Sequence, residues 1–277
     1  MGCKLSLLVA FMVTLNSYAG PTQKTQYRGF TVHKMDYKTL LDARENWGAN
    51  QVRYMIAPAW HQGDYPTKMA FFEARVKELS LMLDNARRLG LSVIVDLHQI
   101  PNDDPRRLSP DKKFTSDIEK RNASSALYWE DQNNLRILKE CWAKLAKVTA
   151  AFPDVDVWLE LLNEPLDWND FPSYPRKWPS WAEQTIQEIR KIDRIHPVVF
   201  ASGPGALSWG MRDLKPLKDP CDNVIYTIHM WQPHGYTHQG VVHSNIQPWP
   251  GVSPGDSNAY WDKNKIIKDI QGVIDFQ

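Results

Sequence analysis

Val155-Asp156-Val157-Trp158-Leu159-Glu160-Leu161-Leu162-Asn163-Glu164-Pro165 is an apolar run that ends on an acid. Its aliphatic and aromatic residues suit a strand covered on both faces. Pro165 has no N–H to offer a sheet ladder and stops it. Glu164, with a carboxamide before it and a proline after it, is an acid held in a fixed pose at a strand end. The same design repeats on either side of this segment. Tyr27 to Val32, Gln51 to Ile56 and Leu91 to Leu97 are strand candidates before it, and His196 to Ser202 and Val224 to Met230 after it.

Longer amphipathic stretches separate these strands. Lys38 to Trp47 is helical and ends at Gly48. Lys68 to Leu89 carries Phe71, Phe72, Val76, Leu79, Leu81 and Leu83 at helical spacing and is closed by Gly90. Ala126 to Phe152 contains a third helix, Trp181 to Ile192 a fourth, and Lys263 to Phe276 a last one. Two long polar connections stand out, Gln99 to Ser125 and Trp231 to Tyr260. Strand–helix alternation implies an α/β fold with a parallel sheet. A doubly wound sheet normally follows its first strand with a glycine-rich phosphate turn, and Arg28-Gly29-Phe30-Thr31 offers none. The polar residues gather instead at strand ends: Arg53 within the second strand, His98 after the third, Asn163 and Glu164 after the fourth, His229 in the sixth. That placement is the mark of a (β/α)8 TIM barrel. Six βα units can be counted where a closed barrel needs eight. The reading is therefore of a barrel domain over residues 20–277, C-terminally incomplete by about two units of roughly 30 residues each.

The 277 residues carry a net charge of +1, which suits one large domain and gives no electrostatic reason to expect nucleic acid. Twelve tryptophans are unusual. They can be packing residues, or platforms on which flat ligands such as sugar rings stack. Residues 1–19 read as a secretory signal: Lys4, an apolar run from Leu5 to Leu15 too short to span a bilayer, then small residues at Ser17 and Ala19. The mature chain is expected to be secreted or periplasmic, free of the membrane and monomeric. Cys141 and Cys221 remain in it, and export permits a disulfide without requiring one. No Cys/His spacing suggests a metal site.

Glycoside hydrolysis uses two carboxyl groups, one to protonate the leaving oxygen and, in retaining enzymes, one to attack the sugar. The acid must keep its proton near neutral pH, so its surroundings must raise its pKa. Glu164 at a strand end suits that role, and Asn163 can hydrogen-bond a sugar hydroxyl. The chain resembles the family 5 glycoside hydrolases, the cellulase-type barrel enzymes. The matching segments are Asn50-Gln51-Val52-Arg53, Val93-Ile94-Val95-Asp96-Leu97-His98, Leu159-Glu160-Leu161-Leu162-Asn163-Glu164-Pro165 and Ile228-His229-Met230-Trp231-Gln232-Pro233. They fall in order, each at a strand end.

The resemblance implies that Glu164 is the general acid/base, that Asn163 binds the 2-hydroxyl, that Arg53 sits beneath the nucleophile, and that His98 and His229 line the subsite of bond cleavage. It places the nucleophile, a glutamate, at the end of strand seven. No residue after Glu188 is a glutamate, so the nucleophile is expected outside this chain. Where the family usually has tyrosine, two residues after the strand-six histidine, this chain has Trp231; its indole can donate a hydrogen bond but not accept one. Trp231 can stack on sugar instead, and Tyr236 can supply the hydroxyl. Other readings of single residues stand beside these. Arg53 can pair with Glu160, Asp96 can orient its neighbours or serve structure, and Asn122-Ala123-Ser124 matches a glycosylation acceptor. The activity implied is a retaining endo-β-1,4-glucanase without metal or organic cofactor, acting on a β-linked polysaccharide or oligosaccharide. A β-mannanase or another β-glycanase of the family is the nearest alternative, and a truncated, inactive sugar-binding protein the alternative of another class.

Overall fold

The computed structural model describes residues 6–9, 26–102, 115–241, 247–253 and 257–277. Six parallel strands form one sheet: β1 Gly29–Val32, β2 Gln51–Ile56, β3 Ser92–Leu97, β4 Val157–Glu160, β5 Val198–Ala201 and β6 Val224–Ile228. They are hydrogen-bonded in chain order, β1 to β6, without a reversal. A doubly wound sheet reverses its strand order at a switch point; a barrel does not. The fold is therefore the (β/α)8-barrel type, with six of its strands in order among the described residues.

A further short strand, Ser6–Val9, pairs in parallel with β6, from Ser6 opposite Ile225 to Val9 opposite Ile228. It lies within the segment expected to be a secretory signal and adds a seventh strand at the β6 edge. The rest of that expected signal lies outside the described residues.

Alternation along the strands sorts the side chains into two faces. Val93, Val95, Val157, Leu159, Val198, Phe200, Val224 and Tyr226 join the large core under the helices. Ile94, Trp158, Val199 and Ile225 form a separate small cluster on the other face, with Tyr27 against it. Two residues further along that inner face come Asp96 on β3 and Glu160 on β4, paired in register. The barrel interior is thus apolar at one level and charged at the next, toward the C-terminal strand ends.

The helices are α1 Tyr37–Glu45, α2 Tyr65–Leu89, α3 Asp117–Glu130, α4 Gln132–Thr149 and α5 Trp178–Arg190. Packing runs from α1 to α2, α2 to α4 and α4 to α5. Gly90 closes α2 in the left-handed conformation, as the sequence suggested. One correction concerns the connection read as Gln99 to Ser125. Residues 117–125 of it are helical, because the Ser116 hydroxyl accepts from the Glu119 N–H while Glu119 reaches back to the Thr115 N–H. This is close to a capping box, and it starts α3 nine residues before the expected helix. Asp131 then separates α3 from α4, where the sequence suggested one continuous helix. The remainder of that connection, residues 103–114, lies outside the described residues. The last helical stretch is likewise two short helices, Lys263–Asp269 and Gln271–Phe276.

Six of the twelve tryptophans are buried, Trp129, Trp142, Trp158, Trp178, Trp181 and Trp261, so packing claims half of them. Cys141 is buried, Cys221 half-buried, and both thiols are free. Asn122 of the glycosylation match sits inside α3 with its side-chain oxygen buried.

The strand-start end is tied by polar side chains. Asp193 accepts from the Thr149 hydroxyl at 2.8 Å, from the backbone N–H groups of Ile195 and His196, and from His196 Nδ1 at 2.7 Å. Arg190 meets Asp219 through two bonds of 2.9 and 2.8 Å. Burial pushes the Asp193 carboxyl up, but the bonds from His196 and Thr149 outweigh it and hold it at about 2. Its folded pKa lies below the unfolded one, so its stabilisation is present at neutral pH and lost as pH falls from about 4 to about 2. Asp193→Ala orphans several buried donors at once and should cost about 3 kcal/mol. Urea denaturation at pH 7 measures that loss; an unchanged midpoint would show the network to be dispensable.

Candidate active site

The site is built on the segment Leu161 to Leu166. Three of its carbonyls are capped from different elements: Trp142 Nε1 donates to Leu161 O at 2.9 Å, Trp129 Nε1 to Leu166 O at 3.0 Å, and the Gly205 N–H to Pro165 O at 2.9 Å. Gly203 stands so close that a Cβ there would lie 2.6 Å from Pro165 O, and its φ of 68° is in the left-handed region. Glycine is required at that position. Glu164 thus projects from a backbone fixed by α3, α4 and the loop after β5.

Arg53 organises the charged layer below. Its Nε and Nη2 donate to Glu160 Oε2 and Oε1 at 2.6 and 2.8 Å. Nη2 also lies 2.8 Å from Asn163 Oδ1 and 3.0 Å from Asp96 Oδ2. His98 Nδ1 donates to the same Asp96 oxygen at 2.8 Å. His229 Nδ1 donates to Glu164 Oε1 at 2.7 Å, while its Nε2 lies 4.0 Å from Glu160. Backbone bonds fix both imidazoles: the His98 N–H donates to Ile56 O at 2.9 Å and the His229 N–H to Ala206 O at 2.7 Å. Five residues expected at the site, Arg53, His98, Asn163, Glu164 and His229, therefore meet in one network. The pairing of Arg53 with Glu160, raised as a rival reading, is present, and it is part of that network rather than separate from it.

Trp231, the sixth expected residue, is half exposed beyond β6, with its ring edge toward His238 at 5.9 Å and its carbonyl bonded by Thr237. Tyr236 packs on Trp249 at 5.4 Å. These two stand apart from the Arg53 network.

A cleft of about 750 Å³ opens above it. His98, Asn163 and Glu164 line one part, with Trp60 at its rim, edge-on to His98 at 4.9 Å. The carbonyl oxygen of Asn163 is committed to Arg53, so its amide hydrogens are what it can offer a ligand. Residues of α3 and Trp168 line the other part. Sequence reading missed this second wall, because residues 117–125 read as a loop; the Ser116–Glu119 spacing was the signal that could have revealed it.

The charges oppose one another. Burial, then the neighbouring Glu160 charge, pushes Asp96 up to about 6 against the pull of His98 and Arg53. Burial also pushes Glu164 up, but the hydrogen bond and charge of His229, with His98 and Arg53, hold its carboxyl below the ordinary range. The sequence argument asked for a raised pKa, so the structure differs here, and the His229 bond is the main cause. At neutral pH Glu164 is an ionised, hydrogen-bonded carboxylate that can accept a proton. Among the described residues no cluster of three or more His, Cys, Asp or Glu could hold a metal ion.

His229→Ala removes the chief stabiliser of the carboxylate. The Glu164 titration midpoint should then rise. Side-chain ¹³C NMR titration of both proteins measures it, and an unmoved midpoint would mean that His229 does not set the charge of Glu164.

Comparison with known proteins bears on the family and the fold. Residues 15–270 match the family model described as cellulase, glycosyl hydrolase family 5. Endoglucanase 3 of Fibrobacter succinogenes is 30% identical over 225 residues, covering 78% of this chain and 30% of that protein. Cellodextrinase A of Ruminococcus flavefaciens is 24% identical over 235 residues, 83% of this chain and 59% of its own length. The chain thus spans less than two thirds of either relative. Among solved structures, a glycoside hydrolase superposes with a TM-score of 0.63 at 17% identity, over 91% of this chain and 75% of the other. Thermotoga maritima Cel5A, solved in complex with cellobiose, gives 0.57 at 21% identity, over 88% and 67%. At such identities the two structures bear on the fold alone.

Proposed function

Because the chain belongs to the cellulase family, glycosyl hydrolase family 5, we propose that it is the larger part of a retaining endo-β-glycanase acting on β-1,4-linked glucan. The observation that carries this reading is the meeting of two pairs at the C-terminal strand ends, Glu164 with His229 at 2.7 Å and Asn163 with Arg53 at 2.8 Å, with Glu160 bonded to Arg53 at 2.6 Å and 4.0 Å from His229. That is the end of a parallel barrel at which chemistry occurs. The endoglucanase and cellodextrinase relatives point to glucan over mannan.

In this reading Glu164 protonates the leaving oxygen, a second glutamate attacks the anomeric carbon, and water activated by Glu164 releases the sugar. Asn163 donates to the 2-hydroxyl, and His98 and His229 flank the scissile bond. The attacking glutamate is assigned to a seventh strand. No glutamate follows Glu188 in this chain. The low pKa of Glu164 fits this division. Without a like charge opposite, the carboxylate stays ionised; an ionised nucleophile facing it would raise its pKa toward what an acid needs. The leader pattern over residues 1–19 supports export of the barrel, and its removal would take the Ser6–Val9 strand from the β6 edge. No described helix is long and apolar enough to cross a membrane.

Two measurements test the reading. Calorimetry with cellohexaose should show binding to the 277-residue chain, unchanged within about threefold by Glu164→Gln, because the amide keeps the shape and loses only the proton chemistry. In a protein that also carries the seventh-strand glutamate, the same substitution should lower turnover of carboxymethyl cellulose by about 10²- to 10⁴-fold. Reducing-sugar release by the 277-residue chain alone would overturn the placement of the nucleophile. Faster release from mannan than from glucan would replace the substrate.

A further inference from the structure

The α3 side of the cleft is chemically unlike the strand-end side. Asp117, Lys120, Arg121 and Ser124 of α3 face the cleft at helical spacing, and Lys68 from the first turn of α2 completes that wall. Lys68 is 94% buried, with an exposure of 6%. Its ammonium has one polar contact among the described residues, the carbonyl of Asn102 at 3.3 Å, and no carboxylate. It also sits at the N-terminus of a 25-residue helix, where the helix dipole already favours negative charge. The nearest acid in sequence, Asp64, is committed to the Thr67 N–H and hydroxyl. A buried ammonium favours an opposite charge beside it, and among the described residues this wall supplies none to Lys68.

The neighbouring cations do not relieve the shortage; they add to it. Lys120 is exposed, and no carboxylate lies within ion-pair reach of its ammonium among the described residues. The Arg121 guanidinium lies 3.9 Å over the Trp168 ring, an arrangement that orients the cation and leaves its edge donors open. Asp117 is the one acid of α3 facing this end, against three cations. Because the same cleft contains Glu164 and Asn163, an anion held here would be part of a glycan that reaches them.

We propose that this wall is a subsite for a carboxylate carried by the glycan, so that the substrate class is an acidic β-glycan, one bearing uronosyl or equivalent carboxylate groups, in preference to a neutral one. Lys120 and Arg121 engage the carboxylate, and Lys68 supplies the charge behind them. The inference rests on the β-glycanase reading above and deepens it.

The test compares two probes on the 277-residue chain by calorimetry: cellohexaose, and a cello-oligosaccharide of the same length oxidised to the uronate at C6. The acidic probe should bind about tenfold more tightly at low ionic strength, the worth of one charge-assisted hydrogen bond. The advantage should shrink in about 0.5 M salt. It should vanish in the Lys120→Ala/Arg121→Ala double variant, in which the two probes bind with equal affinity. Equal affinity for the two probes would overturn the inference and leave the glucan reading intact. An advantage that survives in the double variant would place the carboxylate elsewhere and equally overturn it. Free glucuronate binding as tightly as the oxidised oligosaccharide would make this a free-anion site and not a glycan subsite. Failure to bind either oligosaccharide would remove the glucan reading and the inference together.

Discussion

Two carboxylates buried side by side depend on one guanidinium. Asp96 and Glu160 are register partners on adjacent strands, both nearly without solvent exposure, and Arg53 bridges them. Each carboxylate alone would be costly there, and the pair repel one another. Arg53 offsets both and still reaches Asn163 with the same Nη2. Removing one partner of such a buried cluster costs about 3–5 kcal/mol, because the charge left behind is uncompensated. The cluster also sets direction. With Asp96 holding His98 and Arg53 holding Asn163, the groups that face the cleft are oriented from below by groups that do not face it.

This dependence explains how the site reads in sequence. A period of two along a strand puts Ile94, Asp96 and His98 on one face, and the same alternation carries Trp158 to Glu160. Strand identity, strand order and the polar ends followed from apolar runs broken at fixed places. The network followed only in part: the Arg53–Glu160 pair was among the readings, whereas the reach of the same guanidinium to Asp96 and Asn163 was not. Sequence spacing brings Arg53 and Glu160 no closer than any other pair of charges, and only the parallel register between β2, β3 and β4 places them in contact. The helical wall of the cleft was hidden for a different reason. Residues 117–125 are polar enough to read as loop, and what makes them a helix is a local cap, Ser116 with Glu119, backed by burial of Ser125 and Trp129. A short-range polar signal outranked composition there.

The two walls of the cleft divide the work by charge. On the strand-end side every charged group has a partner, so those groups are oriented but electrostatically spent. On the α3 side Lys68, Lys120 and Arg121 are without a carboxylate partner among the described residues. Partnered groups give geometry; unpartnered ones give preference for a ligand of opposite sign. Tryptophan usage follows the same division: Trp129 and Trp142 use their indole N–H groups to cap the backbone on either side of Glu164, whereas Trp60 leaves its ring at the rim.

The protonation of Glu164 joins these strands of the argument. A general acid needs its proton, and the leading charged influences on Glu164 pull the other way: His229, His98 and Arg53 all favour the carboxylate. Burial is the main force raising its pKa, and it loses. The balance can be reversed without moving Glu164. A second carboxylate within about 5–5.5 Å, the separation that retaining chemistry requires, repels the Glu164 charge directly and competes for the same cations. In the proposed double displacement, that repulsion disappears once the second charge is spent in the glycosyl-enzyme intermediate, and Glu164 returns to the low-pKa state seen here, the state a general base needs. On that proposal the cationic surroundings of Glu164 suit the second half of the reaction, and the first half draws its acid from the nucleophile's own charge.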